Sequence, residues 1–359
     1  MKDKTSKKVK VLIVATSMRV IGGQSIQAKR LLDAFADDPE IEMNFLSNNP
    51  ETAFQNIKYL RTIFTSLKFW WTLLTNIYKF DVVQVFSSAT TGYIIATLPP
   101  LVISKIYGRK VVLNYHSGEL AHHIETWKRT ALPTMRKFDC IVVPSQFLVD
   151  VFAKYGLEAK AIFNFVDSAN FKFRARENFR PVFLSNRNFE AHYNVSDCLR
   201  VFQIIQKRFS EAKLFVAGFG TEEAKLKRLA EALKLENIEF VGKVSNEEMA
   251  ELYEKTDVYL NSSLVDNMPL SIIEAFSSGV PIVSYATGGI PYLVESGETG
   301  LLVEPKDFEN LAREAIFLLE NQEFTKKIVA KARAEVVKYS WENVREDWLE
   351  LYSKLQSYR

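Results

Sequence analysis

The most informative stretch of this chain is residues 266–291, which read DNMPLSIIEAFSSGVPIVSYATGGIP. Pro269 suits the first turn of a helix, where its missing N–H costs nothing, and Gly279 predicts the end of that helix. Residues 280–285 form an apolar run that is typical of a short buried strand. Gly288-Gly289 indicates backbone that another group approaches closely. Loop, helix and strand in this order predict part of an α/β sheet.

The same stretch carries two acids, Asp266 before the predicted helix and Glu274 about two turns into it. We expect an anion site at the start of this helix, formed by the backbone of Asn267, Met268, Pro269 and Leu270. A carboxylate beside such a site could bind the hydroxyls of a sugar next to a phosphate. The alternative is a capped surface helix whose acids are incidental.

Strand-like runs alternate with helical patterns along the whole chain. The runs lie at 8–16, 42–46, 81–86, 110–115 and 140–144, and then at 181–185, 213–217, 238–241, 257–261, 281–285 and 300–303. This alternation predicts two doubly wound α/β domains. We place them at 1–170 and 171–335, joined by a polar, irregular linker at about 165–180, and expect an amphipathic helix within 336–359.

Length and composition agree with this organisation. The chain has 359 residues, which favours two domains, and it is 47% hydrophobic and 25% charged, as in globular proteins. Its two cysteines, Cys140 and Cys198, indicate a reducing compartment without a disulfide framework. The basic start lacks the apolar core of a signal peptide, and no apolar run is long enough to span a membrane. We therefore expect a cytoplasmic protein.

Charge is distributed unevenly between the two halves. Residues 1–180 carry 25 Lys and Arg against 15 Asp and Glu, a net +10, whereas residues 181–359 carry 21 against 28, a net −7. The basic half points to an anionic surface or acceptor.

One helical segment of the basic half has no acidic residue between Thr52 and Phe80. Helical spacing places seven apolar residues on one stripe: Leu60, Ile63, Phe64, Leu67, Trp71, Leu74 and Tyr78. Four basic residues lie together on one flank of this stripe: Lys58, Arg61, Lys68 and Lys79. Phe69 and Leu73 lie beyond that flank. Two interpretations stay open. The stripe packs on the sheet and the lysines are simply solvated, or the helix rests on an anionic membrane.

The acidic pair resembles the signature of the retaining, nucleotide-sugar-dependent glycosyltransferases of family 4, also called glycosyl transferases group 1. That family usually has Glu at both positions, whereas the first is Asp266 here. The resemblance covers essentially the whole chain. It implies the GT-B fold, in which two Rossmann-like doubly wound domains face each other across a cleft and a C-terminal helix crosses back onto the first domain.

The resemblance implies transfer of a sugar from a nucleoside-diphosphate sugar to an acceptor hydroxyl, with retention at the anomeric carbon, in cell-surface polysaccharide or glycolipid synthesis. It implies that Glu274 binds the ribose hydroxyls and that Asp266 binds the sugar hydroxyls. It also implies that Arg187 and the start of the 270–276 helix bind the diphosphate. The family has a Lys-Gly pair a few residues after the arginine, and this chain has His192-Tyr-Asn194 in that region.

Further positions follow from the resemblance. His116, at the end of a predicted strand, would contact the donor sugar, and Gly22-Gly23 matches the glycine loop near the donor phosphates. Gly218 and Val244 lie at strand ends where the family holds the nucleotide. Asp167 fits a turn-capping role better than a catalytic one.

Several motifs are absent from the sequence. No Asp-x-Asp occurs, so we expect no metal and no cofactor besides the sugar donor, and no feature indicates nucleic acid. Two alternatives remain, a catalytically silent nucleotide-sugar-binding subunit and a Rossmann-type oxidoreductase. The oxidoreductase requires an intact GxGxxG, which the partial match at Gly218 does not provide.

Overall fold

A computed structural model describes residues 8–357, apart from 18, 20–22, 53–57, 88–91 and 167–169. The described chain divides into two compact units. Unit 1 contains the residues up to Phe163 together with those from Val344 onward, and unit 2 is Asn164–Asn343.

Unit 1 is built on a sheet of six parallel strands. They are β1 (Val9–Ala15), β2 (Ile41–Ser47), β3 (Val82–Ser87), β4 (Lys110–Tyr115), β5 (Cys140–Val143) and β6 (Lys160–Ala161). Their order across the sheet is β2-β1-β3-β4-β5-β6. The five strands predicted here are confirmed. Strands β1, β3, β4 and β5 are almost fully buried and apolar, as expected of strands covered on both faces, whereas the edge strand β2 exposes Glu42 and Asn44. The two-residue β6 is too short to leave such a pattern.

Helices surround this sheet. They are α1 (Gly23–Ala34), α2 (Lys58–Asn76), α3 (Gly92–Ile106), α4 (Leu120–Thr126), α5 (Lys128–Met135) and α6 (Gln146–Lys154). Helix α6 shows why such helices begin where they do: the hydroxyl of its N-cap residue, Ser145, accepts a hydrogen bond from the Leu148 amide.

The packing face of α2 differs from the one that the stripe pattern suggested. Phe69, Leu73 and Ile77 are buried in the core of unit 1, with exposed fractions of 2%, 0% and 0%. The predicted stripe faces away from the core and is exposed. The interpretation in which the stripe packs on the sheet is therefore wrong.

Unit 2 is built on a second sheet of six parallel strands, and the six predicted strands are confirmed. They are β7 (Val182–Ser185), β8 (Lys213–Ala217), β9 (Ile238–Gly242), β10 (Val258–Asn261), β11 (Ile282–Tyr285) and β12 (Leu301–Val303), in the order β12-β11-β10-β7-β8-β9. The helices are α7 (Val195–Arg208), α8 (Glu223–Ala232), α9 (Asn246–Lys255), α10 (Leu270–Ser278), α11 (Ile290–Leu293), α12 (Phe308–Glu320) and α13 (Gln322–Glu335).

The last described helix, α14 (Trp341–Ser357), contributes most of its length to unit 1. The Tyr352 hydroxyl donates a hydrogen bond to the side chain of Gln84 on β3, and its ring contacts Phe35 edge-on at 6.3 Å between centroids. Arg345 Nε lies 2.7 Å from a carboxylate oxygen of Asp38. No described helix combines the length and apolar content needed to cross a bilayer.

A buried carboxylate organises the segment before β7. Asp257 is fully buried and contacts three arginines: Arg174 Nη2 at 2.5 Å, Arg176 Nε at 2.9 Å and Arg180 Nε at 2.6 Å. The arginines that make the segment before β7 polar therefore belong to an ion cluster around Asp257. Buried charge is tolerated here because it is paired.

Arg176 also binds the ends of two helices. Its side chain is 1% exposed. Its Nη1 donates to the carbonyls of Ser278 and Gly279 at the end of α10, at 2.9 and 2.8 Å. Its Nη2 donates to those of Tyr253 and Thr256 at the end of α9, at 3.0 and 2.7 Å. These carbonyls carry the negative end of each helix dipole, so one cation satisfies both helix ends.

Candidate active site

The candidate site lies at the carboxyl edge of the unit 2 sheet. Strand β7 lies between β10 and β8, and the chain order reverses between β7 and β10. Open α/β sheets bind ligands at the carboxyl ends of the strands beside such a reversal. Arg187 follows β7 by two residues and Asp266 follows β10 by five, so the two side chains meet there.

Arg187 and Asp266 form a buried ion pair. Arg187 Nη2 lies 2.7 Å from Asp266 Oδ2, and the side chains are 14% and 9% exposed. The guanidinium also lies over the Tyr193 ring, 4.2 Å from its centroid. Among the described residues Arg187 Nε has no hydrogen-bond partner. The fork therefore keeps donors that a ligand could use.

Electrostatics keep this arginine charged. Burial would lower the pKa of Arg187, but the Asp266 carboxylate holds it above its usual value. Burial raises the pKa of the Asp266 carboxyl, and Arg187 opposes that shift. Sequence reasoning assigned the two residues to different parts of a donor, and it missed their contact because only the strand order brings β7 beside β10.

Glu274 lies on α10 and is 8% exposed. Every residue of α10 from Ser271 to Ser278 is buried, so the alternative of a capped surface helix is wrong. The Tyr253 hydroxyl donates to the Ser271 carbonyl at 2.7 Å and lies 3.4 Å from Glu274 Oε2, while Asn186 Nδ2 donates to Tyr253 at 2.9 Å. Sequence reasoning missed Tyr253 and Asn186. The position of Asn186 directly after β7 was the available signal.

The start of α10 differs in detail from the predicted anion site. Pro269 is the N-cap residue rather than part of the first turn, and it has no N–H. The Asn267 amide donates to Asp266 Oδ1 at 3.0 Å. Two of the four expected positions therefore offer no amide to an anion, and Met268 and Leu270 remain the candidates.

The loop that holds Asp266 is packed against glycines. A Cβ on Gly288 would overlap the carbonyl oxygen of Asp266, and one on Gly289 that of Asn267. The Gly289 amide donates to the Asp266 carbonyl at 3.1 Å. The group that approaches Gly288-Gly289 closely is thus the acidic loop itself, and this backbone contact fixes where Asp266 lies.

Gly218 has a related structural role after β8. Its φ is +150°, its amide donates to the Gly242 carbonyl at 2.8 Å, and a Cβ there would overlap the carbonyl of Arg187. It therefore supports the loop that carries Arg187. Val244 is half-buried after β9. The nucleotide contacts of both residues remain predictions.

In unit 1, His116 follows β4 directly. Its ring stacks on Phe86 with 5.4 Å between centroids, and its Nε2 is buried without a hydrogen-bond partner among the described residues. Gly23 begins α1 after β1. Gly22 and Asp167 lie outside the described residues.

His116 is expected to stay neutral well below its usual titration range, because burial lowers its pKa to about 4. A depressed pKa means that the neutral ring stabilises the fold fully above about pH 6.5 and that this contribution is lost as the pH falls through about 4. An NMR titration of the histidine ring protons, assigned with His116→Gln, measures this. A midpoint near 6.5 for His116 would contradict the expectation.

Among the described residues, no group of three or more His, Cys, Asp or Glu side chains converges as a metal site would. The polar groups of the site are instead a guanidinium, two carboxylates and a helix N-terminus. Such a set suits an anionic, hydroxyl-bearing ligand.

Comparisons with known proteins identify a glycosyltransferase with the GT-B fold. Two family models match successive parts of the chain, Glycosyltransferase Family 4 over residues 21–170 and Glycosyl transferases group 1 over residues 167–335. The chain belongs to this family of glycosyltransferases.

Similar proteins include the sulfoquinovosyl transferase SQD2 of Arabidopsis thaliana, 27% identical over 67% of this chain and 51% of its own length. The poly(glycerol-phosphate) alpha-glucosyltransferase of Bacillus subtilis is 30% identical over 43% of this chain and 23% of its own length. These matches span about half or less of each relative. The fold is similar to that of Anabaena HepE, solved with UDP, with a TM-score of 0.75, 18% identity, and coverage of 96% of this chain and 100% of the other.

Proposed function

Within this family, we propose that the chain is a retaining glycosyltransferase that moves a sugar from a nucleoside-diphosphate donor to an acceptor hydroxyl. The observation that carries the proposal is the buried pair of Arg187 and Asp266 at the strand-order reversal. A guanidinium fork beside a helix N-terminus suits a diphosphate, and a carboxylate next to it suits sugar hydroxyls.

Arg187 keeps Nη2 on Asp266 and offers its remaining N–H groups, including Nε, to the diphosphate. Asp266 thereby positions the arginine and presents its remaining lone pairs to the donor sugar. The Met268 and Leu270 amides complete the anion site. Charge develops on the diphosphate as the glycosidic bond breaks, so donors fixed before reaction would lower the barrier.

The proposed reaction breaks the bond between the anomeric carbon and the phosphate oxygen, and the acceptor oxygen bonds to the same face of that carbon. The acceptor proton passes to the leaving phosphate, so no protein base is assigned. Glu274 holds the ribose hydroxyls, and the neutral ring of His116 in unit 1 acts as a hydrogen-bonding group rather than as a charge.

Retention and a UDP-linked donor have independent support. The Anabaena structure holds UDP, and the Bacillus subtilis relative is named an alpha-glucosyltransferase. Glucose is α-linked in its usual nucleotide form, so an α product keeps the configuration.

The absence of Asp-x-Asp from the sequence supports transfer without a metal.

For the acceptor we propose a hydroxyl of a cell-surface polysaccharide or glycolipid precursor, reached in the cytoplasm at the inner face of the membrane. The Bacillus subtilis relative is named for an anionic polymer, poly(glycerol-phosphate). The net +10 of residues 1–180 suits an acceptor of that charge.

A second candidate is a catalytically silent nucleotide-sugar-binding subunit. The specific observation behind it is that Tyr193, rather than a second cation, lies against Arg187. Such a subunit would bind a donor and leave it intact, so turnover separates the two functions.

The test screens labelled UDP-, GDP- and ADP-sugars for binding, then for hydrolysis and transfer, and determines the anomeric configuration of the product by NMR. We expect turnover with retention, unchanged by EDTA, and more than a tenfold loss in Glu274→Gln, since disrupting a buried charged contact costs about 2–5 kcal/mol. Binding without turnover supports the silent subunit. An inverted product refutes retention, and loss in EDTA restored by Mn²⁺ refutes metal independence.

A further inference from the structure

The outer face of α2 and of the turn after it is an apolar surface that is exposed to solvent. We call it the outer stripe and define it as Leu60, Ile63, Phe64, Leu67, Trp70, Trp71, Leu74 and Tyr78, whose exposed fractions run from 38% for Trp70 to 69% for Trp71. Large apolar residues are exposed singly on most proteins, but a contiguous set this size marks an interaction site.

The helix cannot roll to hide this stripe. Its opposite side is fixed in the core by Phe69, Leu73 and Ile77. Its end contacts the residue that directly follows α3: the Tyr107 hydroxyl donates to the Leu74 carbonyl at 2.9 Å, and the Tyr107 ring contacts Tyr78 at 6.0 Å between centroids. The stripe is thus held outward by the fold.

Helix α3 extends the exposed apolar surface. Ile95, Leu98, Val102 and Ile106 recur at helical spacing and are exposed by 60%, 37%, 37% and 68%. Two neighbouring helices of unit 1 therefore both present apolar faces to solvent.

The charges on α2 are all basic, and one acidic residue, Glu51, lies beside them, because Lys68 Nζ donates to its carbonyl at 2.8 Å. Between Glu51 and Glu119 the only acidic residue is Asp81, which is 8% exposed. Arg61, Lys68 and Lys79 are exposed on α2 and its following turn, and helical spacing places all three on one flank of the stripe. Positive charge alongside an apolar stripe calls for a partner that is both apolar and anionic.

We infer that the outer stripe docks unit 1 onto an anionic lipid bilayer, with α2 lying in the membrane interface and its basic flank on lipid phosphates. Trp and Tyr favour this interface because their rings are apolar and their N–H and O–H groups reach water. A second copy of the chain fits less well, because an antiparallel isologous contact through the stripe would bring the basic flank close to its own counterpart.

This inference rests on the proposed function only for its purpose, which is to bring the enzyme to a lipid-linked or membrane-proximal acceptor. Membrane binding and sugar transfer are measured separately, so either result can fail while the other stands.

The experiment is co-sedimentation with phosphatidylcholine vesicles, with and without phosphatidylglycerol, at low and high salt. We expect binding that requires phosphatidylglycerol and weakens with salt. Leu67→Ser with Trp71→Ser and, separately, Arg61→Glu with Lys68→Glu should each weaken it by at least about tenfold. All four side chains are exposed, so unchanged thermal unfolding shows that the fold survives.

Matched control variants make the same two kinds of substitution, apolar to serine and basic to glutamate, on the surface of unit 2. Val337→Ser with Phe317→Ser removes exposed apolar groups, and Lys207→Glu with Lys327→Glu reverses two exposed charges. Both controls should bind vesicles as the unmodified protein does. No binding, binding that ignores lipid charge and salt, or equal loss in the controls overturns the inference. If the protein self-associates and the stripe variants abolish that self-association, the surface binds a second copy of the chain instead.

Discussion

Arg187→Ala is expected to reduce donor turnover by about 30-fold or more, corresponding to at least 2 kcal/mol for the loss of a buried charged contact. The variant removes the proposed diphosphate ligand and leaves Asp266 buried without its guanidinium partner. Steady-state turnover of the best donor from the nucleotide-sugar screen measures the loss, and circular dichroism checks the fold.

Arg187→Lys and Asp266→Asn are the companion variants. The lysine keeps the charge but loses the planar fork, so it should recover only part of the activity. If Asp266 positions Arg187, the double variant Arg187→Ala/Asp266→Asn loses less than the two single losses multiplied together. Turnover near the unmodified value in a folded Arg187→Ala protein would refute the site, and strictly multiplicative losses would refute the positioning role.

Arg176→Met is expected to lower the free energy of unfolding of unit 2 by about 3–5 kcal/mol, the range for breaking a buried ion pair. The variant removes a cation from fully buried Asp257 and leaves the carbonyls at the ends of α9 and α10 without their donor. Hydrogen exchange of amides in α9 and α10 measures local opening of these helices. Urea unfolding measures the free energy of global unfolding.

Arg180→Met is the matched control, because Arg180 contacts the same carboxylate but its side chain is 58% exposed. Its loss should cost no more than about 1 kcal/mol, as for exposed ion pairs. Equal effects of the two substitutions would show that pairing with Asp257, rather than burial and helix-end binding, accounts for the stability.

The sheets could be predicted almost completely from the sequence. Most of these parallel strands are buried on both faces and are therefore apolar, and strand-like runs mark eleven of the twelve strands that the structure describes. The start of α10 was predicted less exactly, because a proline before an apolar helical pattern fits the N-cap as well as the first turn, and Pro269 takes the former place.

The packing face of α2 could not be predicted. This helix has apolar residues around most of its circumference, so composition cannot tell which side meets the core. The side that packs holds Phe69, Leu73 and Ile77, while the longer stripe faces solvent. An apolar pattern predicts that a segment is helical. Which side of the helix faces the core depends on the elements that pack against it.

Contacts between distant parts of the chain were also beyond sequence reasoning. Arg187 and Asp266 meet because β7 lies beside β10, and Arg176 binds a carboxylate 81 positions later. In the sequence Arg176 looks like part of a solvated linker. The burial that gives it a structural role exists only once α9 and α10 have formed.

The return of α14 to unit 1 sets an order of events during synthesis. Gln84 and Tyr352 are 268 positions apart, so the ribosome completes all of unit 2 before the helix that covers this part of β3 emerges. Translation at about 5–20 residues per second leaves this part of unit 1 uncovered for tens of seconds. The surface that α14 covers in the finished protein therefore stays exposed on nascent unit 1 until residues 344–357 leave the exit tunnel.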